Sequence, residues 1–186
     1  FMYRLHPQTA RVLELLKAGR IGKVNLVKSS FGFATQQGPD GRLFANDLAG
    51  GGILDVGGYT ASMARLIAGV VSGQPFAEPT KVVGVARLGA TGVDEVASAV
   101  LHFASGLVAE LSCSIAQAQD NVTRIYGSAG RIEVASPWFA GHRSEGRSEI
   151  RVIDAGSTEV ITIEEKRHLY SFEAEAASAA ILAGER

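Results

Sequence analysis

The sequence predicts an α+β fold, with a large and mostly antiparallel open sheet packed against helices on one face. Three observations predict it. Apolar residues recur at helical spacing in the first third of the chain; from Pro79 onward their period drops to two; and Ala174 to Leu182 returns to a helix-forming, Ala-rich composition. Short connections containing glycine, Ala104-Ser105-Gly106 and Gly127-Ser128-Ala129-Gly130, separate the period-two runs, which is the signal of hairpins.

Each element follows from local chemistry. The apolar opening, Phe1 to Leu5, reads as the end of a buried strand. Pro7 suits the first turn of a helix, where its missing N–H costs nothing. Val12, Leu13, Leu15 and Leu16 give that helix its apolar side, and Gly19 ends it. Val24 to Phe33 reads as a strand, and Ala34 to Leu48 as a polar loop. Gly50-Gly51-Gly52 leads into a second helix from about Leu54 to Ala68, with a stripe of Val56, Met63, Leu66 and Ile67 and a stop at Gly69. Strands are expected over Val82 to Leu88, Glu95 to Phe103, Leu107 to Ala116, Val122 to Tyr126, Arg131 to Ala135, Glu149 to Asp154 and Glu159 to Ile163. Along Leu107 to Ala116, one face carries Leu107, Ala109, Leu111, Cys113 and Ile115. The other carries Val108, Glu110, Ser112 and Ser114. That second face is small and weakly charged. It suits either water or a second copy of the chain, and a homodimer or higher homo-oligomer through the sheet is the expectation.

Composition bounds the function classes. The 186 residues suit a single domain, 1–186, that buries roughly 70% of its unfolded surface. The balance of 18 Lys and Arg against 19 Asp and Glu excludes a strong global attraction to nucleic acid or an anionic membrane. Cys113 is the single cysteine, so there is no intrachain disulfide and no cysteine zinc cluster. His6, His102, His142 and His168 lack metal-ligand spacing, and no metal site is expected. No run reaches the ~20 apolar residues of a membrane span. Phe1 to Pro7 lacks the pattern of a signal peptide, which favours a cytoplasmic protein. Both ends read as cut from a longer chain.

The chain holds no G-x-G-x-x-G, no G-x-x-x-x-G-K-[ST] and no G-x-S-x-G. Gly50-Gly51-Gly52 opens a helix without a following Lys-Ser/Thr pair, so it reads more readily as a tight passage than as a phosphate cradle. The informative segment runs from Gly50 to Tyr59. Asp55 and Tyr59 are four apart, which places them on one side of a helix start among glycines. On spacing alone two readings stand. Asp55 caps the helix and Tyr59 packs, or the pair forms part of a site.

These residues resemble a family. The stretch GGGILDVGGYTASMARLIAG, with its D-x-G-x-Y core at Asp55, Gly57 and Tyr59, looks like the signature of the glucose–fructose oxidoreductase/inositol dehydrogenase (Gfo/Idh/MocA) family. FMYRLHPQTARVLELLKAGRIGKV is similar to that family's passage from its Rossmann domain into its substrate domain. IYGSAGRIEV resembles its hairpin, and HLYSFEAEAASAAI its C-terminal helix. A tyrosine rather than a histidine at Tyr59 is more like the dihydrodiol dehydrogenase and glucose–fructose oxidoreductase branch.

The resemblance implies a two-domain NAD(P)-dependent oxidoreductase acting on sugars, polyols or related alcohols. This chain matches only its second domain, the substrate and oligomerisation domain with a glyceraldehyde-3-phosphate dehydrogenase-like sheet. The nucleotide fingerprint and the family's E-K-P lysine are absent, so the isolated chain is expected to be inactive. By the same resemblance Tyr59 is the catalytic acid/base, and Asp55 helps hold the substrate. Arg4 and His6 sit where the cofactor's nicotinamide, of NAD or NADP, would lie. The rival reading is a non-catalytic, self-associating module that binds a small ligand or a partner.

Overall fold

The structure is a computed structural model and describes residues 1–38, 40–142 and 144–184. Helix α1 spans Pro7–Lys17, α2 Gly58–Val71 and α3 Leu169–Leu182. The strands are β1 (Val24–Gly32), β2 (Pro79–Leu88), β3 (Asp94–Phe103), β4 (Val108–Ser114), β5 (Thr123–Gly127), β6 (Gly130–Val134), β7 (Arg147–Ile153) and β8 (Thr158–Glu164). They form one eight-stranded sheet in the order β2-β3-β4-β1-β5-β6-β7-β8. Every neighbouring pair is antiparallel except β1 with β4, which is parallel from Leu26 opposite Val108 to Gly32 opposite Ser114. The α+β expectation, with helices on one face of an open sheet, holds.

Alternation explains where the core lies. Val27, Ala109, Leu111, Ile125, Ile132 and Ile150 face the helices and are buried. Val12, Leu15 and Leu16 of α1 and Met63, Ala64 and Ile67 of α2 close over them. Removing each such Val, Leu, Ile or Met side chain from water is worth about 1.5–3 kcal/mol. The opposite face carries a row set by register: Val83, Val100, Glu110, Lys28, Arg124, Glu133 and Arg151 stand side by side across the strands. Lys28 pairs with Glu110 at 2.7 Å, and Arg124 with Glu133 at 2.9 Å. Charge thus covers the middle of this face, while Val83, Val85 and Val100 leave its β2–β3 end apolar and exposed.

Besides α2 running through the expected stop at Gly69 to Val71, four details differ from the sequence expectation. The opening apolar run is a 3-10 helix over Met2–Leu5, not a strand. His6, preceding Pro7, is held extended at ψ 141°. The turn ahead of it is tied by the Tyr3 carbonyl, which accepts from the His6 N–H at 3.2 Å and from the Thr9 hydroxyl at 2.7 Å. The second helix begins as a π turn over Ile53–Gly57 before the regular α2. Gly57 passes so close to β4 that a Cβ there would lie 3.0 Å from Cys113 Sγ. Helix α3 starts at Leu169, ahead of the expected Ala174, because the His168 ring accepts from the Tyr170 N–H and caps it.

The fourth difference concerns the outer face. Ser114 was expected there beside Ser112, but it is 0% exposed. Its hydroxyl donates to the Glu95 carbonyl at 2.8 Å and accepts from the Ala116 and Gln117 N–H groups at 3.0 Å. The strand ends at Ser114, and its side chain ties down the turn that follows. Val108, Glu110 and Ser112 do face outward. Among the described residues, no helix is long and apolar enough to cross a membrane.

Candidate active site

The site grows from the start of the helix that follows the glycines. A helix start leaves backbone N–H groups unpaired and concentrates positive potential. Here that position is filled by the protein itself. Asp94, the first residue of β3, extends its carboxylate to the Ile53 N–H at 2.7 Å. Gly51 and Gly52 make the approach feasible: a Cβ on Gly51 would sit 2.4 Å from Asp94 Oδ1, and one on Gly52 3.2 Å from Oδ2. The glycine triplet therefore admits an internal carboxylate, and the phosphate reading weighed for it has no room.

One turn on, Asp55 and Tyr59 line a single cavity of about 650 Å³. Phe31, Asn121, Phe139 and Tyr170 complete much of its wall. Asn121 is fixed there by Gly32, whose N–H it accepts at 2.7 Å and whose carbonyl it bonds at 3.1 Å. The Tyr59 ring is held by aromatic neighbours. Phe1 lies 4.5 Å away, Phe31 5.3 Å edge-on and Trp138 5.9 Å edge-on. Trp138 in turn is stacked on Phe31 and donates from Nε1 to the Ser30 carbonyl at 2.9 Å.

The Tyr59 hydroxyl donates to Met2 Sδ at 3.5 Å. A thioether is a weak acceptor, so the hydroxyl is readily given up to an incoming oxygen. Burial pushes the phenol's pKa upward, and Tyr170, Glu173 and Asp55 push it the same way. At neutral pH the group is a proton donor. It becomes a base only where a cation is brought near it.

The Asp55 carboxylate receives Arg42 Nη2 at 2.7 Å. Neither Arg42 nor Asp94 was singled out from the sequence. Both come from segments distant from the motif, one in the loop before the glycines and one at the head of β3, and neither belongs to a periodic pattern that would flag it.

Arg4 and His6, the two residues that the family resemblance sets beside a cofactor, do not line this cavity. Arg4 is exposed, with its guanidinium 4.4 Å from the centre of the Phe76 ring. His6 is 0% exposed. Its Nδ1 accepts from the Gln8 N–H at 3.1 Å and so caps α1, and its ring meets Phe172 at 5.6 Å. Its Nε2 is buried without a hydrogen-bond partner among the described residues. Burial lowers the His6 pKa; Glu165 opposes that effect and Arg167 adds to it.

Comparison with known proteins shows the family. The family model for the GFO/IDH/MocA C-terminal domain matches residues 9–133. A D-xylose 1-dehydrogenase (NADP(+)) from Haloferax volcanii is 37% identical over 139 residues, which is 75% of this chain and 40% of that protein. The trans-1,2-dihydrobenzene-1,2-diol dehydrogenase of Mus musculus is 30% identical over 135 residues, 73% of this chain and 38% of that protein. Among solved structures, the 3-ketoreductase KijD10 from Actinomadura kijaniata, in complex with TDP-benzene and NADP, matches all of this chain and 53% of its own. Its TM-score is 0.81 at 23% identity. An aldose–aldose oxidoreductase from Caulobacter crescentus complexed with glycerol matches with a TM-score of 0.80 at 21% identity. The two structures share the fold. The chain spans about half, or less, of the length of these proteins.

Proposed function

The chain belongs to the GFO/IDH/MocA C-terminal domain family, and from that premise we propose that it is the substrate-binding and oligomerisation domain of an NAD(P)-dependent oxidoreductase acting on a sugar, polyol or diol. One observation carries the reading. Tyr59 and Asp55 of the family-like motif line one cavity, and the Tyr59 hydroxyl is held only by a thioether among the described residues. A D-xylose dehydrogenase and a dihydrobenzenediol dehydrogenase among its relatives support the substrate class.

In this proposal Tyr59 Oη gives a proton to the substrate's carbonyl oxygen when it is reduced, or takes one from its hydroxyl when it is oxidised. Asp55 accepts a hydrogen bond from a neighbouring substrate hydroxyl and fixes which oxygen faces Tyr59. A bound nicotinamide would supply or accept the hydride. Its dinucleotide is not cradled by this chain, since Arg4 and His6 face away from the cavity and no glycine fingerprint is present. A nucleotide-binding domain elsewhere in the protein provides that site and the cation that makes the phenol a base. Two surfaces support such a domain. Phe1 and Leu54 are exposed near the Tyr59 end, and α3 leaves Ile181 and Leu182 bare.

Self-association through the outer sheet face belongs to the same proposal. It is centred on Val83, Val85 and Val100 rather than on Ser114. A cytoplasmic setting completes it, one in which the free, buried Cys113, whose thiol pKa burial pushes up to about 11, stays reduced and inert.

The test is Tyr59→Phe in the intact protein. Loss of the hydroxyl alone should lower kcat by about 10²–10⁴-fold with cofactor affinity and melting temperature near the parent's. Turnover within a few-fold of the parent's would refute the assignment.

A further inference from the structure

The loop before the glycines is knit to the helix start. The Gly50 N–H bonds the Ala45 carbonyl and the Gly51 N–H bonds the Leu43 carbonyl, both at 2.9 Å, and the Leu43 side chain is buried. Arg42 is thus carried on an anchored segment, and its Nη2 meets Asp55 Oδ1 at 2.7 Å. The two partners are unequal. The Asp55 side chain is 18% exposed and that of Arg42 58% exposed. The carboxylate is the group that depends on the contact, because the guanidinium can still be solvated without it.

We infer that Arg42 is a positioning residue of this site: it fixes the orientation of the Asp55 carboxylate and offsets its charge as felt by Tyr59. The inference rests on the reading of Asp55 and Tyr59 given above. Several titratable groups face Tyr59. Asp55 lies on its own helical run. Tyr3 belongs to the opening segment, and Tyr170 and Glu173 to α3. Asp120 lines the same cavity from the β4–β5 connection. Acidic groups therefore dominate, and each unpaired carboxylate makes the phenolate harder to form. Arg42 cancels one of them. A carboxylate pinned by a guanidinium also keeps its second oxygen free for a substrate hydroxyl, in a fixed direction.

The experiment uses the intact enzyme with NADP(+) and D-xylose as the probe, and the variants Arg42→Gln, Arg42→Lys, Asp55→Asn and Arg42→Gln/Asp55→Asn, with Tyr59→Phe as reference. Arg42→Gln should raise KM about tenfold and move the rise of kcat with pH toward higher pH. Its melting temperature should hardly change, as befits an ion pair half open to water. Arg42→Lys keeps the charge and loses the fork, so it should restore the pH profile while KM stays raised. In the Asp55→Asn background, Arg42→Gln should add nothing. Parental KM and pH profile in Arg42→Gln, with Tyr59→Phe still inactive, would overturn the role of Arg42 alone. So would undiminished effects of Arg42→Gln in the Asp55→Asn background, a comparison that also covers the case in which the single variant is unstable. If Tyr59→Phe is fully active, the site reading fails, and the role of Arg42 fails with it.

Discussion

Replacing Gly51 by alanine should damage the protein in two separable ways. Gly51 holds φ +112°, a region that residues with a Cβ rarely adopt. Forcing alanine into it costs about 1–3 kcal/mol. The new Cβ would also lie 2.4 Å from Asp94 Oδ1. The carboxylate must retreat, and the Ile53 N–H loses its 2.7 Å partner, a further ~0.5–2 kcal/mol on the scale of lost helix caps. Together these give roughly 1.5–5 kcal/mol, or a fall in melting temperature of about 3–20 °C at ~2–4 °C per kcal/mol for a chain of this size. The assay is urea denaturation of Gly51→Ala, Asp94→Ala and the double variant, with melting curves alongside. In the Asp94→Ala background the obstructing oxygen is gone, so Gly51→Ala should cost only the backbone share. The two changes should therefore couple by about 0.5–2 kcal/mol. Strict additivity, or a Gly51→Ala variant within about 0.5 kcal/mol of the parent, would refute the claim that the glycines exist to admit Asp94.

Two further outcomes are expected. Because the His6 pKa is lowered in the folded state, the unfolded chain binds the proton more readily. Stability is therefore present above the ordinary pKa of ~6.5 and declines as pH falls through the lower folded value. His6→Asn keeps a cap for α1 and should flatten that acid limb in melting temperature against pH, and an unchanged slope would count against it. On the outer face, Val85 is 75% exposed, and Val85→Lys should shift sedimentation velocity toward smaller species if copies of the chain meet there, whereas an identical profile would remove that face from consideration.

Elements with a strong period were legible in the sequence. The alternation of β3 to β8 and the stripe of α2 both place side chains that the core does bury, as Met63, Ile67 and Ile150 show. The pair Asp55 and Tyr59 was legible too, since four residues along a helix stay on one side even across a π turn. What escaped depends on contacts between segments far apart in sequence. Asp94 reaches back to Ile53, Arg42 reaches forward to Asp55, and neither leaves a local pattern. The opening residues misled for a different reason. Met2 and Tyr3 are as apolar and as buried as strand residues, but burial alone does not choose between a strand and a tight turn; the bonds around Pro7 do. His6 likewise carries a chemistry-bearing ring that the fold spends on capping a helix.

The parallel seam between β1 and β4 has a consequence for how the chain comes together. On one side β2, β3 and β4 form a meander of neighbouring strands, and on the other β5 to β8 form a second. The first closes by short hairpins, and so do the β5–β6 and β7–β8 pairs of the second, whose halves are joined by the longer connection from Val134 to Arg147; hairpin closure is the fast kind of event. Strand β1 is made before either, yet both of its edges wait, one for β4 and the other for β5. It is the keystone laid first and locked last. Its closure spans the whole loop, α2 and the β2–β3 hairpin, so the chain must hold Val27 and Phe31 unpaired until Cys113 and Ile125 arrive. The rate-limiting step of folding should therefore be the docking of β1 between two preformed meanders. Substitutions at Ile150, deep in a meander formed before that step, should slow folding and leave unfolding nearly unchanged, and substitutions at Val27 should slow folding as well.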